Sequence, residues 1–151
     1  MLIAGFNTDI AKTCVDAFAV PTDPAGAGKL FLSIHFYDPY TFTLMEDAAS
    51  WGSPKDTWGT DAEKKALDDL FSQLGAFSTK KMIPVILGEF AVTRGMKVVR
   101  QSASRVLWME SVAKACMSRR MVPVLWDTGS EIMRTDGSLS SELQMVLQHL
   151  Q

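Results

Sequence analysis

Residues 83–92 read IPVILGEFAV, an apolar run carrying one acid, Glu89, near the place where the run ends. A carboxylate among apolar neighbours is costly unless it has partners or a task, because desolvation disfavours its charged form. The run is read as a strand over 83–90, and three more short apolar runs, at 2–5, 30–37 and 122–126, resemble it. Each is followed by a segment of helical rhythm: 9–19, 61–77, 98–118 and 138–149. In TDAEKKALDDLFSQL (60–74), Thr60 and Glu63 have capping-box spacing, and Ala66, Leu67, Leu70, Phe71 and Leu74 recur at helical intervals. The alternation predicts four βα units in an α/β fold.

Strands joined by helices pair in parallel through right-handed crossovers. If they pair in sequence order, every helix lies on one face of the sheet and the other face is bare. Alternation puts Phe31, Ser33, His35 and Tyr37 on one side of the second strand and Leu32, Ile34 and Phe36 on the other; it groups Ile83, Val85, Leu87 and Glu89 on one side of the third. Both faces are apolar, and at roughly 25 cal/mol per Å² an uncovered apolar face is a strong drive to find a partner.

The chain has 151 residues, 47% hydrophobic and 21% charged, with a formal net charge of -2. That length suits one domain, 1–151, and the near balance of charge excludes a nucleic-acid groove or an anionic membrane surface as an expected partner. The opening MLIAGFN is too short for a signal-peptide core, and no apolar run approaches the roughly 20 residues a bilayer requires, so no membrane partner is expected and nothing directs export. Cys14 and Cys116 read as buried free thiols. The two histidines, His35 and His149, and two cysteines lack ligand spacing, so no metal is expected, and no motif calls for an organic cofactor. The loop DPAGAGK (23–29) precedes a strand and has no Ser or Thr after Lys29, which argues against a phosphate loop.

Chemistry-bearing residues collect at the carboxyl ends of the expected strands: Asn7 after the first, His35 and Tyr37 at the second, Glu89 at the third, Trp126 and Asp127 at the fourth. In parallel α/β folds that edge is where ligands bind. Taken singly, each has a plainer role as a core or strand-end residue; their common edge is what argues for a site.

The motifs LSIHFYDPYTFT (32–43), PVILGEF (84–90) and PVLWDTG (123–129), in that order, resemble the sixth, seventh and eighth strands of glycoside hydrolase family 5 endoglucanases, and IAGFNTDI (3–10) is similar to their fifth-strand region. The resemblance spans nearly the whole chain. It implies a (β/α)4 half of a TIM (β/α)8 barrel and cleavage of β-1,4-glucan with retention, with a β-glucan or cello-oligosaccharide as ligand. By position, Glu89 matches the family's nucleophile, His35 and Tyr37 the pair beside the cleaved sugar, and Trp126 the aromatic platform under it. Trp51 and Trp58 are expected as further stacking surfaces, with loop packing the alternative for each. The parent family is usually secreted.

A complete barrel takes about 250 residues and eight strands. The family's Asn-Glu-Pro motif, whose glutamate is the general acid/base, does not occur here, although retention needs two carboxyl groups about 5 Å apart. A truncated chain of this kind is expected to complete its barrel as a homodimer, and Asp127 of the partner copy is the expected second carboxylate. Two alternatives stand beside this one: a catalytically dead half barrel or carbohydrate-binding module, and, remotely, a dimeric aspartic protease through Asp127-Thr128-Gly129.

Overall fold

The computed structural model describes residues 1–24, 26 and 28–151. Ala25 and Ala27, inside the DPAGAGK loop, lie outside the described residues. Four strands, β1 (Leu2–Ile3), β2 (Phe31–Phe36), β3 (Val85–Phe90) and β4 (Val122–Leu125), form one parallel sheet in the order β1-β2-β3-β4. The helices are α1 (Ile10–Thr13), α2 (Tyr40–Thr43), α3 (Asp61–Lys81), α4 (Ser102–Met117) and α5 (Ser141–His149). A parallel sheet in sequence order with helical crossovers is the architecture of half a (β/α)8 barrel. The mainly β build of an aspartic protease is absent from the described residues, which removes that alternative.

The helices cover one face. Leu32, Ile34, Leu87, Phe71, Leu74 and Trp108 are completely buried there. Phe36 lies at the centre, edge-on to Phe71 with ring centroids 5.0 Å apart and stacked on Trp108 at 6.0 Å. On the other face Val122 and Val124 are 56% and 44% exposed and Phe31 is 37% exposed. The expected bare apolar face is present.

Local signals set the helix ends. The Thr60–Glu63 capping box forms: Glu63 N–H donates to Thr60 Oγ1 and Thr60 N–H to Glu63 Oε2. α3 runs four residues past the expected 77, with Lys80 and Lys81 in the last turn facing the negative end of the dipole, and stops at Met82 in the left-handed region. α1 is far shorter than the expected 9–19. Asp9 caps it, but Cys14 has already left helical geometry and Val15 N–H turns back to Thr13 O. α4 begins at Ser102 instead of 98 because Arg100 is drawn into the β2–α3 loop, where it donates to Phe42 O at 2.8 Å, to Met45 O and to Glu46.

β3 corrects the strict alternation. Leu87 pairs with Ile34 and Glu89 with His35, so Gly88 is an extra residue opposite nothing on β2. On the other side, β3 takes three steps from Leu87 to Phe90 while β4 takes two from Pro123 to Leu125. This β-bulge sends Phe90 into the core and separates Glu89 from the Val85 and Leu87 side on which alternation had placed it.

Candidate active site

The carboxyl edge of the sheet gathers the residues that the motifs point to. β2 delivers His35 and Tyr37, and the bulged β3 delivers Glu89 beside them. Tyr37 Oη donates to Glu89 Oε2 at 2.9 Å, and His35 Nδ1 lies 3.3 Å from the same oxygen. All three side chains are partly exposed, so the carboxylate can be reached from solvent. Burial, and then the hydrogen bond and charge of Glu89, push the Tyr37 phenol well above its ordinary range. It therefore remains a hydrogen-bond donor at every working pH.

The backbone behind this group is tied down. Thr43 Oγ1 donates to Tyr37 O at 2.5 Å, and Trp108 Nε1 donates to Asp38 O at 3.0 Å. A cleft of about 300 Å³ opens in front of it, lined by Asn7, Asp9, His35, Tyr37, Asp38 and Tyr40 among others. Asn7 is exposed at its rim on a 3-10 turn, Phe6–Thr8. Burial, and then the charge of Asp9, raise the Asp38 carboxyl. Asp9 itself is engaged as the cap of α1, accepting from Lys12 N–H at 2.8 Å. Sequence reasoning missed both acids, although Asp38 directly follows Tyr37 in the FYDPY motif.

Trp126 N–H donates to Phe90 O at 3.0 Å, which fixes the end of β4 beside the residue after Glu89. Its indole is 51% exposed and borders a second cleft of about 320 Å³ with Leu44, Arg94, Met96, Thr128 and Glu131. Trp51, 64% exposed, leans on Tyr40 with ring centroids 5.9 Å apart, a surface on which a sugar can stack. Trp58 is different. It is buried in the hydrophobic core, so it packs the loop and offers no stacking face.

Asp127 also departs from expectation. Its carboxylate accepts from the N–H groups of Ser130 and Glu131 at 2.9 Å and of Ile132 at 3.2 Å, closing the turn after β4. Burial pushes this carboxyl up, but the backbone N–H groups of Glu131, Ile132, Gly129 and Ser130 outweigh that and hold it below the usual carboxylate range. An acid already committed to a turn and ionised at neutral pH is a poor proton donor, and the expectation that it serves as the second catalytic carboxylate is withdrawn.

The following loop is anchored by buried charge. Arg105 donates to Glu131 at 2.5 Å, to Glu142, and to Val92 O at 3.0 Å, while Arg94 reaches Glu131 at 3.3 Å and Glu142 at 2.9 Å. Two cations and two carboxylates balance. Among the described residues no group of three His, Cys, Asp or Glu side chains is assembled to hold a metal ion, and no helix is long and apolar enough to cross a membrane.

Comparison with known proteins identifies the family of the chain. The cellulase (glycosyl hydrolase family 5) profile matches residues 4–131. The chain belongs to glycosyl hydrolase family 5. It is 30% identical over 143 residues to a xyloglucan-specific endo-beta-1,4-glucanase of Bacteroides ovatus, a match covering 85% of this chain and 27% of that protein. It is 27% identical over 146 residues to endoglucanase A of Paenibacillus barcinonensis, covering 85% of this chain and 36% of that protein. Among solved structures it is similar to a GH5-4 broad specificity endoglucanase from an uncultured bovine rumen ciliate, with a TM-score of 0.82 and 27% identity over 98% of this chain and 45% of that one. This family 5 chain thus spans about a quarter to a third of the curated relatives and less than half of the structural one. Its four βα units correspond to half of the family's barrel.

Proposed function

We propose that this family 5 chain provides the nucleophile half of a retaining β-1,4-glucan hydrolase. The observation that carries the reading is the short contact from Tyr37 to Glu89 at the carboxyl edge, which holds one carboxylate oxygen while the other is left for chemistry. Glu89 attacks the anomeric carbon and forms the glycosyl-enzyme bond; Tyr37 and His35 orient it, and Trp126 supplies the surface under the sugar being cleaved. Asn7 and Trp51 extend the contact along the glucan. The activities for which the relatives are named, endoglucanase and xyloglucan-specific endoglucanase, support a β-1,4-linked glucan as substrate class.

The place over the bare sheet face needs an occupant, and with Asp127 held in its own turn no residue of this chain is assigned as the acid/base carboxyl. We assign that place to a second copy of this chain, because Phe31, Val122 and Val124 present an apolar face and β1 and β4 present unpaired edges of matching direction. A second reading, a half barrel that binds glucan without turnover, is favoured by the engagement of Asp127 in its own turn.

The test is hydrolysis of carboxymethyl-cellulose and of xyloglucan by the chain and by Glu89→Gln, with light scattering on the same sample. Turnover abolished in Glu89→Gln, at twice the chain mass of 16.6 kDa, supports the hydrolase. Glucan binding without turnover selects the second reading, and a stable monomer contradicts closure by a second copy.

A further inference from the structure

A shift of register at Gly88, directly before Glu89, sets which face of the sheet Glu89 shares. Val85 and Leu87 are buried toward the helices, and strict alternation would send Glu89 after them, toward the core around Phe36 and Trp108. The bulge prevents this. With Gly88 as the extra residue, Glu89 pairs with His35 and shares its face, and Phe90 pairs with Phe36 on the buried side.

The space at Gly88 is unusually specific. A Cβ built there would lie 2.9 Å from Ser33 Oγ, closer than real side chains approach, whereas its next neighbours, His35 Cδ2 and Nε2, would be at an ordinary 3.6 Å. One hydroxyl oxygen on β2 is therefore the atom that a side chain in the bulge would have to displace. Bulges next to functional sites re-aim a side chain, and an isolated glycine within a strand marks close approach of a neighbour.

We propose that Gly88 is a positioning residue for Glu89: the absent side chain lets β3 bulge tightly against Ser33, and the bulge holds the carboxylate on the open face against Tyr37 and His35. The inference deepens the reading of Glu89 as nucleophile and rests on it for its kinetic consequence, while its geometric part stands by itself.

The experiment uses 2,4-dinitrophenyl 2-deoxy-2-fluoro-β-cellobioside. A Glu89 oxygen forms the bond to C1, the C1–O bond to the aryl group breaks, and dinitrophenolate leaves with the electron pair. No proton is transferred, so the step needs no acid/base partner. Gly88→Ala is expected to slow labelling at saturating reagent several-fold, because the bulge or the Ser33 hydroxyl must give by a few tenths of an ångström and small misplacements of a reacting group are costly, with the half-saturating concentration little changed. Ser33→Ala is expected to label like the parent chain, and the double variant Gly88→Ala/Ser33→Ala to recover most of the lost rate, because the one close atom is gone. Gly88→Ala labelling at the parent rate overturns the inference, as does a double variant as slow as Gly88→Ala. If the parent chain takes no label, the nucleophile reading fails, and crystal structures of the parent, Gly88→Ala and the double variant decide the geometric part. A Tyr37–Glu89 hydrogen bond broken in the single variant and restored in the double supports it; the same bond intact in Gly88→Ala overturns it.

Discussion

Tyr37 and Glu89, 52 residues apart in sequence, meet at 2.9 Å across the β2–β3 pair, with the phenol donating and the carboxylate accepting. Removing the donor leaves the carboxylate in place but less fixed. Tyr37→Phe is expected to lower kcat on a soluble β-glucan by about a hundredfold, the usual loss of one preorganised donor, with a much smaller change in KM. Because the phenol is pushed up by burial and by Glu89, the loss should be the same from pH 5 to pH 8. Unchanged kcat in the variant would show that Tyr37 has no part in holding the nucleophile.

Asp127 is predicted to matter for the turn and to do so in a pH-dependent way. Its carboxyl is held below the usual range in the folded chain by backbone N–H groups, so its stabilisation is fully present above the unfolded value of about 3.9. It is lost as pH falls through the lower folded value. Asp127→Ala should cost about 1 kcal/mol at pH 7, comparable to loss of a capping side chain, and the gap to the parent chain in urea unfolding should narrow as pH is taken below about 3.9. A gap that widens on acidification would contradict the assignment.

Arg105 ties the loop after Phe90, the loop after Trp126 and α5 into one unit through Val92 O, Glu131 and Glu142. Replacing one member of a buried ion cluster strands its partners. Arg105→Met should cost about 3 kcal/mol or more, whereas Arg105→Met with Glu142→Gln, which leaves Arg94 balanced against Glu131, should recover much of that. Denaturant midpoints of the two variants check this; equal midpoints would mean that the cluster contributes packing alone.

Much of this arrangement can be read along the chain, and the exceptions have physical causes. The four strands follow from short apolar runs, and α3 begins where Thr60 and Glu63 place it, because capping is a contact between near neighbours. His35, and Tyr37 just beyond the strand, stand on the expected face because the extra residue of the bulge lies on β3 and not on β2. Glu89 does not follow its own strand's alternation, since period-two reasoning has no place for a bulge; Gly88 within an otherwise apolar run was the available signal. Trp58 and Arg105 show the limit on composition: an indole in a turn-rich loop can fold inward, and a helix charge can be buried once two carboxylates from another segment meet it. The early stop of α1 at Thr13, against a helix expected over 9–19, reflects local backbone competition that apolar periodicity does not record.

The most direct test of Glu89 as nucleophile is to treat the unaltered chain with the activated 2-fluoro-cellobioside and map the added mass by peptide sequencing. One fluorocellobiosyl group is predicted on Glu89, in the peptide containing PVILGEF, with no labelling of Glu89→Gln. A label on another carboxylate, or none under conditions in which a complete family 5 endoglucanase is labelled, would contradict the claim that Glu89 is the nucleophile.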